Sequence, residues 1–183
     1  NTLVQAAWAL VLARYTGQGT VSFGATVAGR PAELAGAQQM LGLFINTLPV
    51  VATLQSGQPV GDWLRELQVQ ATASREHEHT PLVDIQRWAG QGGQALFDSL
   101  LVFENYPVDE ALQQAAPGGL RFGTASTRDD THYELTLAVH LGETLSFDFR
   151  FAQAAFDAQG VALLADQLER LLWAFAHAPA APV

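Results

Sequence analysis

The chain has 183 residues, a length that fits one domain or one half of a two-lobed molecule. Apolar residues make up 49% of it, so it is neither disordered nor collagen-like. No apolar run approaches the roughly 20 residues that span a bilayer. The net charge is −9 and all nine basic residues are arginine, which argues against a nucleic-acid binder. Cysteine is absent, which excludes disulfides, thiolate metal ligands and cysteine nucleophiles.

The two ends predict that the chain is part of a longer polypeptide. It begins at Asn1 and runs directly into an apolar pattern, without the basic segment or cleavage site of a signal peptide. The last residues, HAPAAPV, are rich in alanine and proline. They predict a domain over residues 1–177 and the start of a linker over 178–183. We expect a cytoplasmic protein.

The first half of the chain predicts alternating helices and strands. Residues 3–15 are apolar almost all round and contain no glycine or proline, which predicts a buried helix. Residues 20–29 alternate in the manner of a strand, with Gly24 as a possible bulge. A short helix is predicted over 32–39 and a second strand over 43–54. Asp62 is the predicted N-cap of an amphipathic helix that runs to Glu76.

The second half adds a short helix after Pro81, a buried strand over 96–103, a loop over 107–119 and a strand over 120–125. Residues 133–140 and 144–151 alternate well and predict a β-hairpin. Asp157 is the predicted cap of the last helix. Mixed helices and strands, with some antiparallel pairing, predict an α/β fold: a mixed sheet in a two-layer sandwich.

Few residues indicate chemistry when they are considered alone. His77 and His79 are two residues apart, so they point about 200° apart on a helix and predict no metal site. His132 follows two aspartates, which fits a polar loop better than an acid–base cluster. His140 is the kind of residue found on a strand face, and Ser99 lacks the glycine elbow of a hydrolase nucleophile. These residues predict an acidic α/β domain without a self-evident catalytic site.

Several segments together resemble condensation domains of nonribosomal peptide synthetases. The segment MLGLFINTLPV resembles the family's fifth core motif, and GATVAGRP upstream is similar to the segment that precedes that motif. HEHTPLVDIQRW lies where the sixth motif belongs and keeps its histidine and proline as His77 and Pro81. ALFDSLLVFENYP and the closing hairpin and helix also resemble the family. The order and spacing of these segments extend the resemblance over nearly the whole chain.

The resemblance implies one lobe of a chloramphenicol acetyltransferase-like fold, in which two lobes enclose a tunnel with the active site. The family's HHxxxDG motif is absent, so the chain resembles the C-terminal lobe, which we expect to be inactive alone and to hold no catalytic residue. The implied partners are the N-terminal lobe, donor and acceptor peptidyl carrier proteins and an adjacent adenylation domain. The phosphopantetheine arms of the carriers bring the substrates, and no cofactor is expected on this lobe. The implied setting is bacterial synthesis of secondary metabolites such as siderophores or lipopeptides.

The resemblance also implies site residues. Gly42, Phe44, Asn46 and Thr47 are expected to line the substrate tunnel, although Asn46 and Thr47 could instead fasten a loop. Arg30 is expected to form a structural ion pair. The full set with an expected structural role is Gly29, Arg30, Pro31, His77, Pro81 and Tyr133.

Two alternatives remain open. Val51 stands where the fifth motif usually ends with arginine, and the seventh motif's Arg-Asn-Pro is missing. An epimerisation or cyclisation relative is one alternative, and a non-catalytic module that binds carrier proteins is the other. A large exposed apolar face on this chain would favour the lobe over the independent module.

Overall fold

The computed structural model describes residues 1–30, 34–104 and 131–183. The helices are α1 (Thr2–Thr16), α2 (Val60–Ser74), α3 (Leu82–Trp88) and α4 (Ala158–His177). The strands are β1 (Thr20–Ala28), β2 (Ile45–Thr53), β3 (Ser99–Glu104), β4 (Leu135–Leu141) and β5 (Leu145–Phe151). Short 3-10 turns lie at Ala37–Gln39 and Arg75–His77. The predicted loop over 107–119 and strand over 120–125 lie outside the described residues.

The five strands form one mixed sheet in the order β2-β1-β3-β4-β5. The two outer pairs, β1 with β2 and β4 with β5, are antiparallel, whereas β3 pairs in parallel with both β1 and β4. The predicted β4–β5 hairpin is therefore confirmed, and Leu135 pairs with Phe151 at its open end. β2 and β5 are the edge strands.

Helices α1, α2 and α4 cover one face of this sheet and enclose the core. α1 is buried along most of its length, which explains its apolar residues on all sides. Its Trp8 is fully buried and donates from the indole to Ser99 Oγ at 3.3 Å. The largest fully buried side chains of the core come from all three helices and three strands: Trp8, Trp63, Phe23, Leu101, Leu137 and Leu168. The predicted two-layer α/β sandwich is confirmed.

Gly24 leaves room for an aromatic ring on the other face of the sheet. The predicted bulge is wrong, because β1 pairs with β2 in unbroken register from Thr20 to Ala28. A Cβ at position 24 would lie 2.8 Å from Phe97 Cζ and closer still to Cε2. Phe97 is itself buried, so the ring packs directly on the β1 backbone.

The first turn of α2 is capped by the end of the chain. The predicted N-cap, Asp62, is wrong: the N-cap residue is Pro59, three residues earlier, and no side chain caps the helix. Val60 N donates to Ala181 O at 2.9 Å and Gly61 N donates to Pro179 O at 2.8 Å. Val183 N also donates to Gln58 O, at 2.9 Å. Residues 179–183, the C-terminal strap, thus pair with residues 58–61.

Two further predictions concern where helices begin and end. Asp157 caps α4 as predicted, with Oδ1 accepting from Gly160 N at 2.7 Å. The helix predicted over 32–39 is shorter: within the described part of that stretch, only the 3-10 turn Ala37–Gln39 is helical. Within the described residues, every helix is too short or too polar to span a membrane.

Candidate functional site

Several of the predicted site residues meet where β1 ends and β2 begins. Gly29 N donates to Phe44 O at 3.3 Å and closes the base of the connection between the two strands. Arg30 extends into this connection, where Nη1 donates to Met40 O at 2.8 Å and to Ala37 O. Its guanidinium carbon lies 4.1 Å from the centroid of the Phe44 ring. Arg30 therefore binds main-chain carbonyls and a ring, and the predicted ion pair is not formed within the described residues.

Asn46 joins the fifth-motif strand to the turn that resembles the sixth motif. Its Nδ2 donates to Glu78 O at 2.8 Å and to Thr80 O at 2.7 Å. Both acceptors are main-chain carbonyls between α2 and α3. These contacts correspond to the alternative in which Asn46 fastens a loop, and they use the donor capacity of the side-chain amide.

Thr47 and Gly42 have different surroundings. Because side chains alternate along a strand, Thr47 lies on the sheet face opposite Asn46, and it pairs with Thr26 in the β1 register. Gly42 has φ of 154°, a conformation that favours glycine, and the nearest atom to a Cβ there would be Phe44 Cε2 at 3.9 Å. Among the described residues, it is therefore the backbone conformation, not close packing against another segment, that favours glycine at position 42.

The turn between α2 and α3 places the remaining sixth-motif residues. His77 is exposed, and its carbonyl accepts from Thr80 N at 2.9 Å. Pro81 is the N-cap residue of α3, and its carbonyl accepts from Asp84 N at 3.0 Å and Ile85 N at 3.3 Å. Glu78 Oε2 lies 2.8 Å from where a Cβ on Gly29 would stand, so this turn also touches the end of β1.

Exposed apolar side chains surround this corner of the molecule. Leu41 is fully exposed, with a relative accessibility of 102%, and Leu43 is 83% exposed. The exposed set continues along the edge strand β2, and we call all five residues the apolar rim: Met40, Leu41, Leu43, Ile45 and Val51. Because exposed apolar patches are typical of interaction sites, the apolar rim is a candidate contact surface.

Tyr133 lies apart from this corner. Its ring stacks on Phe97, with 5.5 Å between the ring centroids, over the middle of the sheet. The His132 ring packs against the Tyr133 ring, with 4.2 Å between the two ring centroids. Burial raises the pKa of the Tyr133 hydroxyl. Pro31 lies outside the described residues.

A polar cluster that sequence analysis did not foresee lies on the face of β3, β4 and β5 away from the helices. His140 Nε2 is 3.0 Å from Asp148 Oδ2, and His140 Nδ1 is 3.6 Å from Glu104 Oε2. Arg150 Nη2 is 3.8 Å from Glu104 Oε1. Strand alternation predicted the surface position of His140 but not these partners, which lie on other strands. Among the described residues, no group of three or more candidate ligands has the geometry to hold a metal ion.

Comparison with known proteins identifies the family. The condensation-domain family matches residues 1–183, so the chain belongs to the condensation domains of nonribosomal peptide synthetases. It is 37% identical to tyrocidine synthase 2 of Brevibacillus parabrevis over 174 residues, which are 93% of this chain and 5% of that protein. It is 33% identical to surfactin synthase subunit 3 of Bacillus subtilis (strain 168) over 184 residues, 100% of this chain and 14% of that protein.

Solved structures share the fold. The starter condensation domain of the rhizomide synthetase RzmA superposes with a TM-score of 0.72 at 20% identity, covering 99% of this chain and 42% of that one. The crystal structure of CT gives a TM-score of 0.81 at 23% identity, again covering 99% of this chain and 42% of the other. The chain thus spans less than half of these structures and a small fraction of the synthetases.

Proposed function

We propose that these 183 residues form the C-terminal lobe of a condensation domain that joins carrier-bound aminoacyl or peptidyl thioesters through an amide bond. The general function of the family is amide-bond formation. The lobe would shape one wall of the substrate tunnel and part of the carrier docking surface. The histidine that assists proton transfer would come from the remainder of the domain, because HHxxxDG does not occur in this chain.

The observation that carries the proposal is the apolar rim. Leu41 and Leu43 project into solvent beside the segment that resembles the fifth motif, and no described residue covers them. Exposed apolar patches on soluble proteins are typical of surfaces that contact another part of the protein or a partner. The matched solved structures are more than twice as long as this chain, since it covers only 42% of each. The uncovered rim and the greater length of the matched structures together favour a lobe over a separate carrier-binding module.

The requirements of amide formation explain how this chain could contribute positioning while the remainder of the domain assists proton transfer. An amine must be held close to the thioester carbonyl, and this positioning supplies much of the rate. A wall built from a strand edge and a fixed loop can contribute positioning without a titratable group. The phosphopantetheine arms of donor and acceptor carrier proteins would bring both substrates, and an adenylation domain would load the carriers.

The test is a mass-spectrometric assay for the dipeptidyl carrier product. Loaded donor and acceptor carriers are supplied to this chain with and without the rest of its condensation domain. A matched control is the rest of the domain with the second histidine of HHxxxDG replaced by alanine. We expect product only with the intact upstream part. Product from this chain alone would overturn the division of labour, and no product from the folded whole domain would overturn the proposed activity.

A further inference from the structure

Arg30 contacts several residues of the connection between β1 and β2. Its guanidinium donates to the carbonyls of Ala37 and Met40 and lies over Phe44, with its carbon 4.1 Å from the ring centroid. The two carbonyls belong to the 3-10 turn and to the residue that follows it. One side chain therefore fixes the path of the main chain on the way to the apolar rim.

The hydrogen bonds and the stacking contact of this side chain require arginine. A guanidinium is planar and presents several N–H donors, so it can bind two carbonyls and stack on an aromatic ring at the same time. An ammonium group donates as a point charge without a stacking plane. Lysine at position 30 would therefore keep the charge but lose part of the geometry.

Besides Arg30, main-chain hydrogen bonds hold the described part of this connection: those of the 3-10 turn, and the one from Gly29 N to Phe44 O at its base. Ala37 is buried and anchors its first half, but the second half presents Leu41 and Leu43 to solvent. Gly42, between the two leucines, has φ of 154° and adds no side-chain contact of its own. The orientation of the two leucines thus depends on the main-chain path that Arg30 fixes.

We propose that Arg30 is a positioning residue for amide formation: it fixes the loop over 34–44 so that Leu41 and Leu43 contact the remainder of the condensation domain and set the tunnel wall at its working distance. The proposal rests on the proposed function. The occupant of the leucine surface is the rest of the same domain, because the matched structures extend well beyond the 42% that this chain covers. A displacement of about 1 Å in such a wall can cost about a hundredfold in rate.

The test uses the whole condensation domain with loaded donor and acceptor carriers. Arg30→Lys is compared with Arg65→Lys, a matched control whose arginine pairs with Asp62 on the exposed surface of α2. We expect Arg30→Lys to lower the rate of amide formation at saturating carrier about tenfold or more. The carrier concentration that gives half-maximal rate should stay within about twofold of the wild-type value. The loop is proposed to position the tunnel wall and not to bind the carriers. The control should match wild type in both quantities.

A second variant, Phe44→Leu, keeps the proposal testable if Arg30→Lys unfolds, and a double-mutant cycle tests it further where the single variants fold. Phe44→Leu removes only the ring under the guanidinium and should lower the same rate with the melting temperature nearly unchanged. Arg30→Lys and Leu41→Asn should be non-additive, because both act on one loop position. A folded Arg30→Lys or Phe44→Leu domain with wild-type rate would overturn the proposal, as would additive effects. A wild-type domain that forms no amide would reject the proposed function itself.

Discussion

The side-chain amide of Asn46 and the carbonyl of Thr80 are joined by a 2.7 Å hydrogen bond that links β2 to the turn before α3. The same nitrogen donates to Glu78 O at 2.8 Å. Two segments that resemble separate core motifs of the family are therefore one structural unit. The unit also reaches β1, since the Glu78 carboxylate lies beside Gly29. In this chain, the asparagine connects the fifth-motif segment to the sixth-motif segment.

This link predicts that Asn46 substitutions destabilise the folded chain. Asn46→Ala leaves two carbonyls of a partly buried turn without their donor, so the free energy of unfolding should fall by about 1–3 kcal/mol. Asn46→Asp should lower it further, because a carboxylate oxygen would face carbonyl oxygens. Urea unfolding of the 183-residue chain measures both changes.

A matched control for Asn46 is available on the neighbouring helix. Gln70 also uses a side-chain amide to bind a β2 carbonyl, with Nε2 3.0 Å from Val51 O, but it is exposed. Gln70→Ala should therefore change the unfolding free energy by less than about 0.5 kcal/mol. If Asn46→Ala were as mild as Gln70→Ala, the link between the motifs would not contribute to stability, and the role of Asn46 would have to be sought at the substrate.

Gly24 provides a second prediction, because the ring of Phe97 occupies the space of its missing side chain. A Cβ there would lie 2.8 Å from Phe97 Cζ, so Gly24→Ala forces the buried ring or the strand to move. We expect a loss of about 1–3 kcal/mol in the free energy of unfolding. Urea unfolding of the variant measures it.

The control for Gly24 is Gly19→Ala, where nothing lies within 4 Å of a new Cβ, and its effect should be small or stabilising. The combination Gly24→Ala with Phe97→Leu should be less destabilised than the sum of the two single variants, since the smaller side chain relieves the clash. Strict additivity in this pair would show that the Gly24–Phe97 contact is not the source of the loss.

The elements that sequence analysis predicted well are those that local patterns determine. The continuous apolar stretch of α1, the alternation in β4 and β5, and the cap at Asp157 all depend on residues close together in the chain. The family resemblance located the fifth-motif and sixth-motif segments, but it could not show that Asn46 donates to the turn. Such a contact joins residues more than 30 positions apart, so it depends on how β2 and the turn before α3 come together in the fold.

The prediction for the start of α2 failed for the same reason. Asp62 followed by an amphipathic pattern is a reasonable local signal for an N-cap. The actual cap is formed by main-chain carbonyls of Pro179 and Ala181, which come from the other end of the chain. Residues 178–183 were predicted as the start of a linker, and that stays a prediction; in the structure, carbonyls of this segment accept from N–H groups in the first turn of α2.

The C-terminal strap predicts that α2 loses its first turn when the end of the chain is removed. Truncation after Ala178 leaves the N–H groups of Val60 and Gly61 without acceptors, so the free energy of unfolding should fall by about 0.5–2 kcal/mol. Hydrogen exchange at these two amides should accelerate about tenfold or more. The amide of Gly160, which donates to the Asp157 side chain at the start of α4, is the internal control and should change only with global stability. Unchanged exchange at Val60 and Gly61 in the truncated chain would mean that water replaces the strap at no cost to the helix.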